Sequence, residues 1–327
     1  MRKRLRKRIF LVLVVSIVLI LPVLIRKSAQ DEKSLIDPSI TFCIVPYLKI
    51  SKELYRTYML SMASWLDTSN HSQILILWDE NSFDTNGSLI QSLKNQYGND
   101  RIRFLSNIEV DEDNIPYIND WFLKGFDNTN TNYICFINSD IILPLGWYTR
   151  VKYLYNFFSR QEKQHAIVSR RCDIDLNTNT FHLNIEDYQR KTHSKWGVDF
   201  YLISLYPMHL NIDDIPPFHM GKYRWDPWIT GWLNAHIDVV SFGDEFCTYH
   251  INHKPKERDM SDIKVKENFE LAAKNNRYNG ANHLTKYYLK KNKLCKRNGR
   301  VLTQINAKLS YNSPIDLDEK KSTLLFE

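Results

Sequence analysis

A chain of 327 residues with 43% hydrophobic and 13% aromatic side chains can bury one large core or two small ones, which excludes a disordered or fibrous protein. The formal charge of +7 points to nucleic acid only until it is located: Arg2, Lys3, Arg4, Arg6, Lys7, Arg8, Arg26 and Lys27 account for it, and the rest of the chain is near −1. That near-neutral remainder has no aromatic-basic stripe, so a nucleic-acid partner is disfavoured.

Ile9 to Ile25 consists of Leu, Ile, Val and Phe with only Ser16 and Pro22 interposed. At roughly −0.3 to −0.6 kcal/mol per apolar residue, such a run inserts into a bilayer. As a helix it spans about 25 Å, slightly short of the ~27 Å hydrocarbon core of the endoplasmic reticulum, which fits an early secretory address. The basic residues before it keep the tip cytosolic and send the chain from about residue 28 into the lumen. A cleaved signal peptide is the alternative, but the run exceeds the usual ~7 to 15 residues and no A-x-A site follows. The expected organisation is a tail at 1–8, a signal anchor at 9–25, a stem at 26–38, a principal domain at 39–260 and a helical extension with a tail at 261–327. The sequons at Asn70 and Asn86 agree with a lumenal chain. The five cysteines include no C-x-x-C pair. Cys43 and Cys135 read as buried thiols, and one bridge is open to Cys172, Cys247 and Cys295.

In the principal domain, periodicity predicts strands at 39–47 (closed by Pro46), 72–80, 101–106 and 133–138. Helices are predicted at 51–67, opened by Ser51, and around 87–96 and 115–126. Alternating strands and helices mean βαβ units, a parallel sheet and an α/β fold of Rossmann-like topology. There is no G-x-G-x-x-G, so nicotinamide chemistry has no support. Lys286, Lys290, Lys291, Lys293, Lys296, Arg297 and Arg300 are expected on a late helix as a solvated face.

Ligands of such sheets bind beyond the carboxyl ends of the strands. Asp79, Glu80 and the stretch Asn138-Ser139-Asp140 all fall there. A strand buried on both faces cannot hold a carboxylate cheaply, so Asp140, just past the apolar run Tyr133 to Ile137, is placed to meet solvent, a cation or a ligand. A hard ion such as Mn2+ or Mg2+ needs only one or two carboxylates if phosphates and water complete its shell. An Asx turn would explain the same pattern. Asp226, before Pro227 and a helical run with Trp228 and Trp232, reads as an N-cap. Five of the eight tryptophans, Trp147, Trp196, Trp225, Trp228 and Trp232, crowd one region and could supply sugar-facing rings as well as packing.

A hydrophobic strand, a short D-x-D-like turn and a second hydrophobic run resemble the signature of GT-A-fold glycosyltransferases, here with the first acid replaced by Asn138. "WGVDFYLI" (196–203), "IPPFHMGKYRWDPWITGWL" (215–233) and "CTYHINH" (247–253) resemble, in order, further motifs of a group of membrane-anchored, type II transferases: a G-x-D-x-F step, P-P-F-x-x-G-R with W-D-x-W, and H-Q-x-H. The resemblance covers roughly 40–255. It implies a GT-A-like mixed sheet and a nucleotide-sugar donor contacted by Pro46, Asp79, Glu80, Asn138, Ser139 and Asp140. It further implies a divalent ion on Asp140 and His250, the latter preferred over His253. Asp226 is implied as the base that deprotonates an acceptor hydroxyl, and Asp199, Trp225 and Trp228 as acceptor contacts. The implied setting is the Golgi or endoplasmic reticulum membrane and the implied acceptor a glycan or glycoprotein. The alternative is a catalytically inactive, membrane-anchored carbohydrate-binding protein of the same fold.

Overall fold

The structure, a computed structural model, describes residues 35–46, 52–67, 69–84, 88–144, 146–175, 190–192, 197–242, 247–252 and 260–304. The expected anchor at 9–25 lies outside the described residues, as do Ser51, Asn86, Trp196 and His253. Among the described residues, no helix is long and apolar enough to cross a membrane. The chain divides after Asp37, and every element below belongs to the unit that starts at Pro38.

In chain order the elements are β1 (Ile40–Ile44), α1 (Lys52–Leu66), β2 (Ser72–Ile76), α2 (Glu80–Phe83), α3 (Ser88–Tyr97), β3 (Ile102–Phe104), α4 (Ile118–Asp127), β4 (Tyr133–Ile137), β5 (Ile141–Ile142), α5 (Trp147–Ser159), β6 (His165–Ile174), β7 (Arg190–Thr192), β8 (Val198–Ser204), α6 (Trp225–His236), β9 (Asp238–Ser241), β10 (Thr248–Ile251), α7 (Ile263–Lys274), β11 (Tyr287–Lys290), β12 (Lys293–Lys296) and β13 (Val301–Gln304). The first half follows the predicted alternation. Strands β3, β2, β1 and β4 lie side by side and parallel, as βαβ connections require. Beyond β4 the sheet becomes mixed: β8 is antiparallel to both β4 and β6, and β9 and β11 then run parallel to β6.

Side chains alternate across each strand, which divides the core in two. Phe42 of β1 and Tyr133, Cys135 and Ile137 of β4 pack with Tyr58 of α1, Leu93 of α3 and Leu154 of α5 on one face. Cys43, Ile134 and Phe136 pack with Trp121 and Phe122 of α4 and Trp228 and Trp232 of α6 on the other. Both faces being covered explains why these strands read as unbroken apolar runs. Helix α4 approaches closely enough for Phe122 and Phe136 to stack at 3.9 Å. Gly125 makes room, since a Cβ there would lie 2.6 Å from the Phe136 ring.

The late basic run is not a helix. Lys290 and Lys293 flank a tight turn, with Lys291 and Asn292 at φ 45° and 58°, that joins β11 to β12. Two successive left-handed residues match a type I′ hairpin, whose backbone twist suits the paired strands. Through β11 on β9, residues 287–304 extend the main sheet, so the expected boundary near 260 does not separate a helical extension from it.

Candidate active site

Strand pairing assembles the site at the carboxyl end of β4. Strand β6 is long and serves two neighbourhoods. Up to Val168 it pairs with β8 and β9, its register with β8 shifts between Val168 and Arg170, and beyond the shift it pairs with β10. Such a bulge redirects a strand and re-aims its side chains. The redirected part carries Arg171 and Asp173. Strand β10 lies between it and β5, with His250 opposite Asp173 on one side and Ile141 on the other. His250 therefore sits beside Asp140, which precedes Ile141. A disulfide from Cys172 to Cys247 fastens β6 to the start of β10, while Cys43, Cys135 and Cys295 are buried thiols.

The resulting contacts form a chain of charges. His250 presents Nε2 to Asp140 Oδ2 at 3.3 Å and Nδ1 to Asp173 Oδ1 at 3.0 Å. Arg171 bridges Asp173, with Nε at 3.3 Å, and Asp199, with Nη1 at 3.2 Å. Asp199, the second residue of β8, also accepts from the Asn138 amide at 2.9 Å. Ser139, Asp140 and His250 are buried, and Asp199 is partly buried.

Asp226 joins this group from α6. It occupies the second position of that helix rather than the expected N-cap. The N-cap is Arg224, at φ 94°, and it makes no side-chain cap. The carboxyl of Asp226 instead accepts from its own amide and that of Val198, which sets it beside Asp199. Its carbonyl accepts from Tyr201 Oη at 3.1 Å and Thr230 Oγ1 at 2.9 Å. Burial, and then the nearby Asp199 charge, push the Asp226 carboxyl up from 3.8 to about 7. Burial also raises Asp199; the Arg171 charge pulls it back and Asp140 pushes it further up. Helix α6 is held by backbone contact: a Cβ on Gly231 would lie 2.5 Å from the Asn279 nitrogen, and the Gly280 amide donates to Pro227 O at 2.8 Å.

Other expected contacts lie differently. Pro46 is buried past the end of β1. Asp79 and Glu80 are exposed at the carboxyl end of β2, two strands away from β4, and Glu80 pairs with Lys94 at 2.8 Å. Trp228 is wholly enclosed and donates its indole N–H to Asn275 O at 2.8 Å, so it is core and offers no face to an acceptor. Trp225, 7% exposed, meets Trp121 and Tyr201 with ring centroids 6.1 Å away in each case. The reason is helical spacing, which puts 225, 228, 229 and 232 on the inward face of α6. Sequence reasoning missed Arg171 and Asp173. The signal was present in a strand that opens apolar and continues Arg170-Arg171-Cys172-Asp173, the same change of character that marks Asp140.

Among the described residues, no three His, Cys, Asp or Glu side chains group as an all-protein metal site would need. A two-ligand site is a separate case. Adjacent ligands ~2.1 Å from an octahedral ion stand ~3.0 Å apart, and Asp140 Oδ2 and His250 Nε2 are 3.3 Å apart. The donor set, one carboxylate and one imidazole whose far nitrogen is held by Asp173, fits a Mn2+ ion that takes its remaining ligands from phosphate and water.

No family model matches the sequence, and no curated protein matches it. Among solved structures the chain is similar to the mannosyltransferase PcManGT from Pyrobaculum calidifontis in complex with GDP-Man and Mn2+, with a TM-score of 0.43 and 11% identity over 75% of this chain and 66% of that one. It is also similar to GalNAc-T7 with UDP, GalNAc and Mn2+, with a TM-score of 0.46 and 10% identity over 72% and 48% of the two chains. For S. aureus TarS 1-349 in complex with UDP-GlcNAc the TM-score is 0.43, with 9% identity over 71% and 64%. The chain thus spans about half to two thirds of the length of these proteins.

Proposed function

We propose that the protein is a glycosyltransferase that moves a sugar from a nucleoside diphosphate donor to a hydroxyl of a glycan or glycoprotein. The observation that carries this reading is the convergence of Asp140, His250 and Asp173 with Asp199 and Asp226 at one end of the sheet, an ion-ready pair beside a carboxyl that ionises near neutral pH.

Asp140 and His250 would hold Mn2+ or Mg2+, which when bound supplies charge neutralisation for the leaving diphosphate. Asp173 fixes the imidazole so that Nε2 faces Asp140, and Arg171 ties Asp173 to Asp199. Asp226 takes the proton of the acceptor hydroxyl while that oxygen bonds to the anomeric carbon and the bond from this carbon to the diphosphate breaks, inverting configuration. A base with a pKa of about 7 is half ionised at neutral pH and is matched to this task. Pro46, Asp79, Glu80, Asn138 and Ser139 are assigned to the donor side and Asp199 to the acceptor side, while Trp225 backs the site as packing.

A type II anchor at 9–25 would place the site in the Golgi or endoplasmic reticulum lumen. Two observations support that setting: the Cys172–Cys247 disulfide, which oxidising compartments favour, and the exposed sequon residue Asn70. One observation favours the alternative of an inactive carbohydrate-binding protein: Asn138 replaces an acid and its amide is committed to Asp199. Incubating the full chain with a panel of nucleotide sugars, Mn2+ and mixed glycan acceptors, and measuring released nucleoside diphosphate, separates the two. Release from one donor that needs acceptor and vanishes in Asp226→Asn supports transfer. Glycan binding without release from any donor establishes the alternative.

A further inference from the structure

We infer that His219 is a positioning residue for Asp226: it latches the segment leading into α6 and so holds the strained turn on which that helix starts. The inference rests on the reading of Asp226 as the base.

The segment from Ile215 to Arg224 has little regular structure of its own. An isolated bridge pairs His219 with Tyr117, the Ile118 amide donates to Phe218 O at 2.8 Å, and the Met220 amide donates to Pro116 O at 2.9 Å. From the other side, Asn268 of α7, fully buried, accepts from the His219 amide at 2.9 Å and donates to the carbonyls of His219 and Tyr223, each at 3.1 Å. The backbone is thus gripped between the loop before α4 and helix α7.

The His219 ring joins these two walls. Its Nδ1 lies 2.9 Å from Asp111 Oδ2 and its Nε2 lies 2.8 Å from Glu267 Oε2. Each ring nitrogen thus faces a carboxylate oxygen within hydrogen-bond distance, and the ring acts as a rivet between the two walls. Asp111 is itself anchored. Its side chain accepts from the amides of Asp113 and Ile115 at 2.8 and 2.9 Å, and from Lys264, which also reaches Asp113 at 2.7 Å. Burial opposes its ionisation, but Lys264 and the two amides outweigh it and hold the Asp111 carboxyl at about 2.

What this latch restrains is unusual backbone. After His219 the chain passes through Gly221 at φ 73° and then Arg224 at φ 94°, two residues before Asp226. A residue with a side chain persists in that region only where its surroundings over-determine it. The contacts of Arg224 itself are peripheral, its guanidinium reaching Asn279 Oδ1 at 3.1 Å on the exposed side. The restraint therefore comes from the preceding segment, through Asn268 on the Tyr223 carbonyl, Lys222 on Asp262 and the His219 ring.

The test uses the full chain and compares His219→Ala with wild type by amide hydrogen exchange, donor affinity and turnover. Freed of the rivet, amides from 218 to 230 exchange at least tenfold faster. A base displaced by about 1 Å lowers kcat roughly 10- to 100-fold, while donor affinity changes less than twofold. Glu267→Ala, at a half-exposed position, cuts only the outer contact and gives the same pattern at smaller amplitude, which serves if His219→Ala does not fold. Unchanged exchange in both variants overturns the latch whatever the activity. Faster exchange with unchanged kcat overturns the positioning role. Wild type that transfers no sugar, with the exchange response intact, overturns the reading of Asp226 and leaves the latch standing.

Discussion

Replacing Asp226 by Asn should stabilise the protein at alkaline pH while destroying its activity, and the size of the effect follows from the site. In the folded protein the Asp226 carboxyl ionises at about 7 against 3.8 for an ordinary aspartate, because of burial first and the Asp199 charge second. Between those values the folded chain keeps a proton that the unfolded chain has released, so the contribution to stability is complete below 3.8 and is lost as pH rises through 7. The full span corresponds to about 4 kcal/mol at 1.36 kcal/mol per pKa unit. Between pH 5 and pH 8, where the unfolded aspartate is already ionised, about 3 kcal/mol of it is lost. Asn has the same size and does not titrate. Urea unfolding of both proteins in the presence of a chelator, at steps from pH 5 to pH 8, should show the Asn variant gaining that amount relative to wild type. Turnover of wild type should rise through pH 7 over the same interval. Stability differences that stay constant with pH would refute the environment assigned to Asp226, and with it the explanation of why this carboxylate suits general-base work.

Three more predictions bear on the scaffold and the metal. Serines at both Cys172 and Cys247 open a disulfide spanning 75 positions and should cost about 4 kcal/mol in urea unfolding, matched by wild type treated with reductant; an effect below about 1 kcal/mol would contradict the bridge. Gly231→Ala, which ordinarily favours a helix by about 1 kcal/mol, should instead destabilise by about 2 kcal/mol or more, because the new Cβ meets the Asn279 nitrogen at 2.5 Å; a stabilised variant would show that α6 is not docked there. Asp173→Ala should weaken Mn2+ binding by about 10- to 100-fold in titration calorimetry with nucleoside diphosphate present; unchanged affinity would remove His250 from the ion's shell.

Much of the fold is legible because the strands that form it are short, apolar and separated by helices of ordinary length. Asp140 announces itself as the acid ending such a strand, and Asp199, Asp226 and His250 lie in stretches whose order resembles a known arrangement. Arg171 and Asp173 escaped because their meaning depends on pairing. Asp173 faces His250 across two strands separated by 77 positions, and only the bend after Val168 turns β6 toward β10. Trp228 misled for a related reason: an aromatic ring at a helix start reads equally as a sugar platform or as core, and the docking of α6 on β8 decides. The basic run at 286–300 looked helical by charge, whereas the alternation Tyr287, Leu289 inward and Tyr288, Lys290 outward follows a strand.

The most direct test of the account is donor binding by the full chain, read as thermal shift against nucleoside diphosphates and nucleotide sugars with and without Mn2+. A ligand present at 100 times its Kd adds about 2.7 kcal/mol. Stabilisation by one nucleotide is expected, requiring Mn2+ and disappearing in both Asp140→Asn and His250→Ala. A folded protein that responds to no nucleotide, or one whose response survives both substitutions, would contradict it.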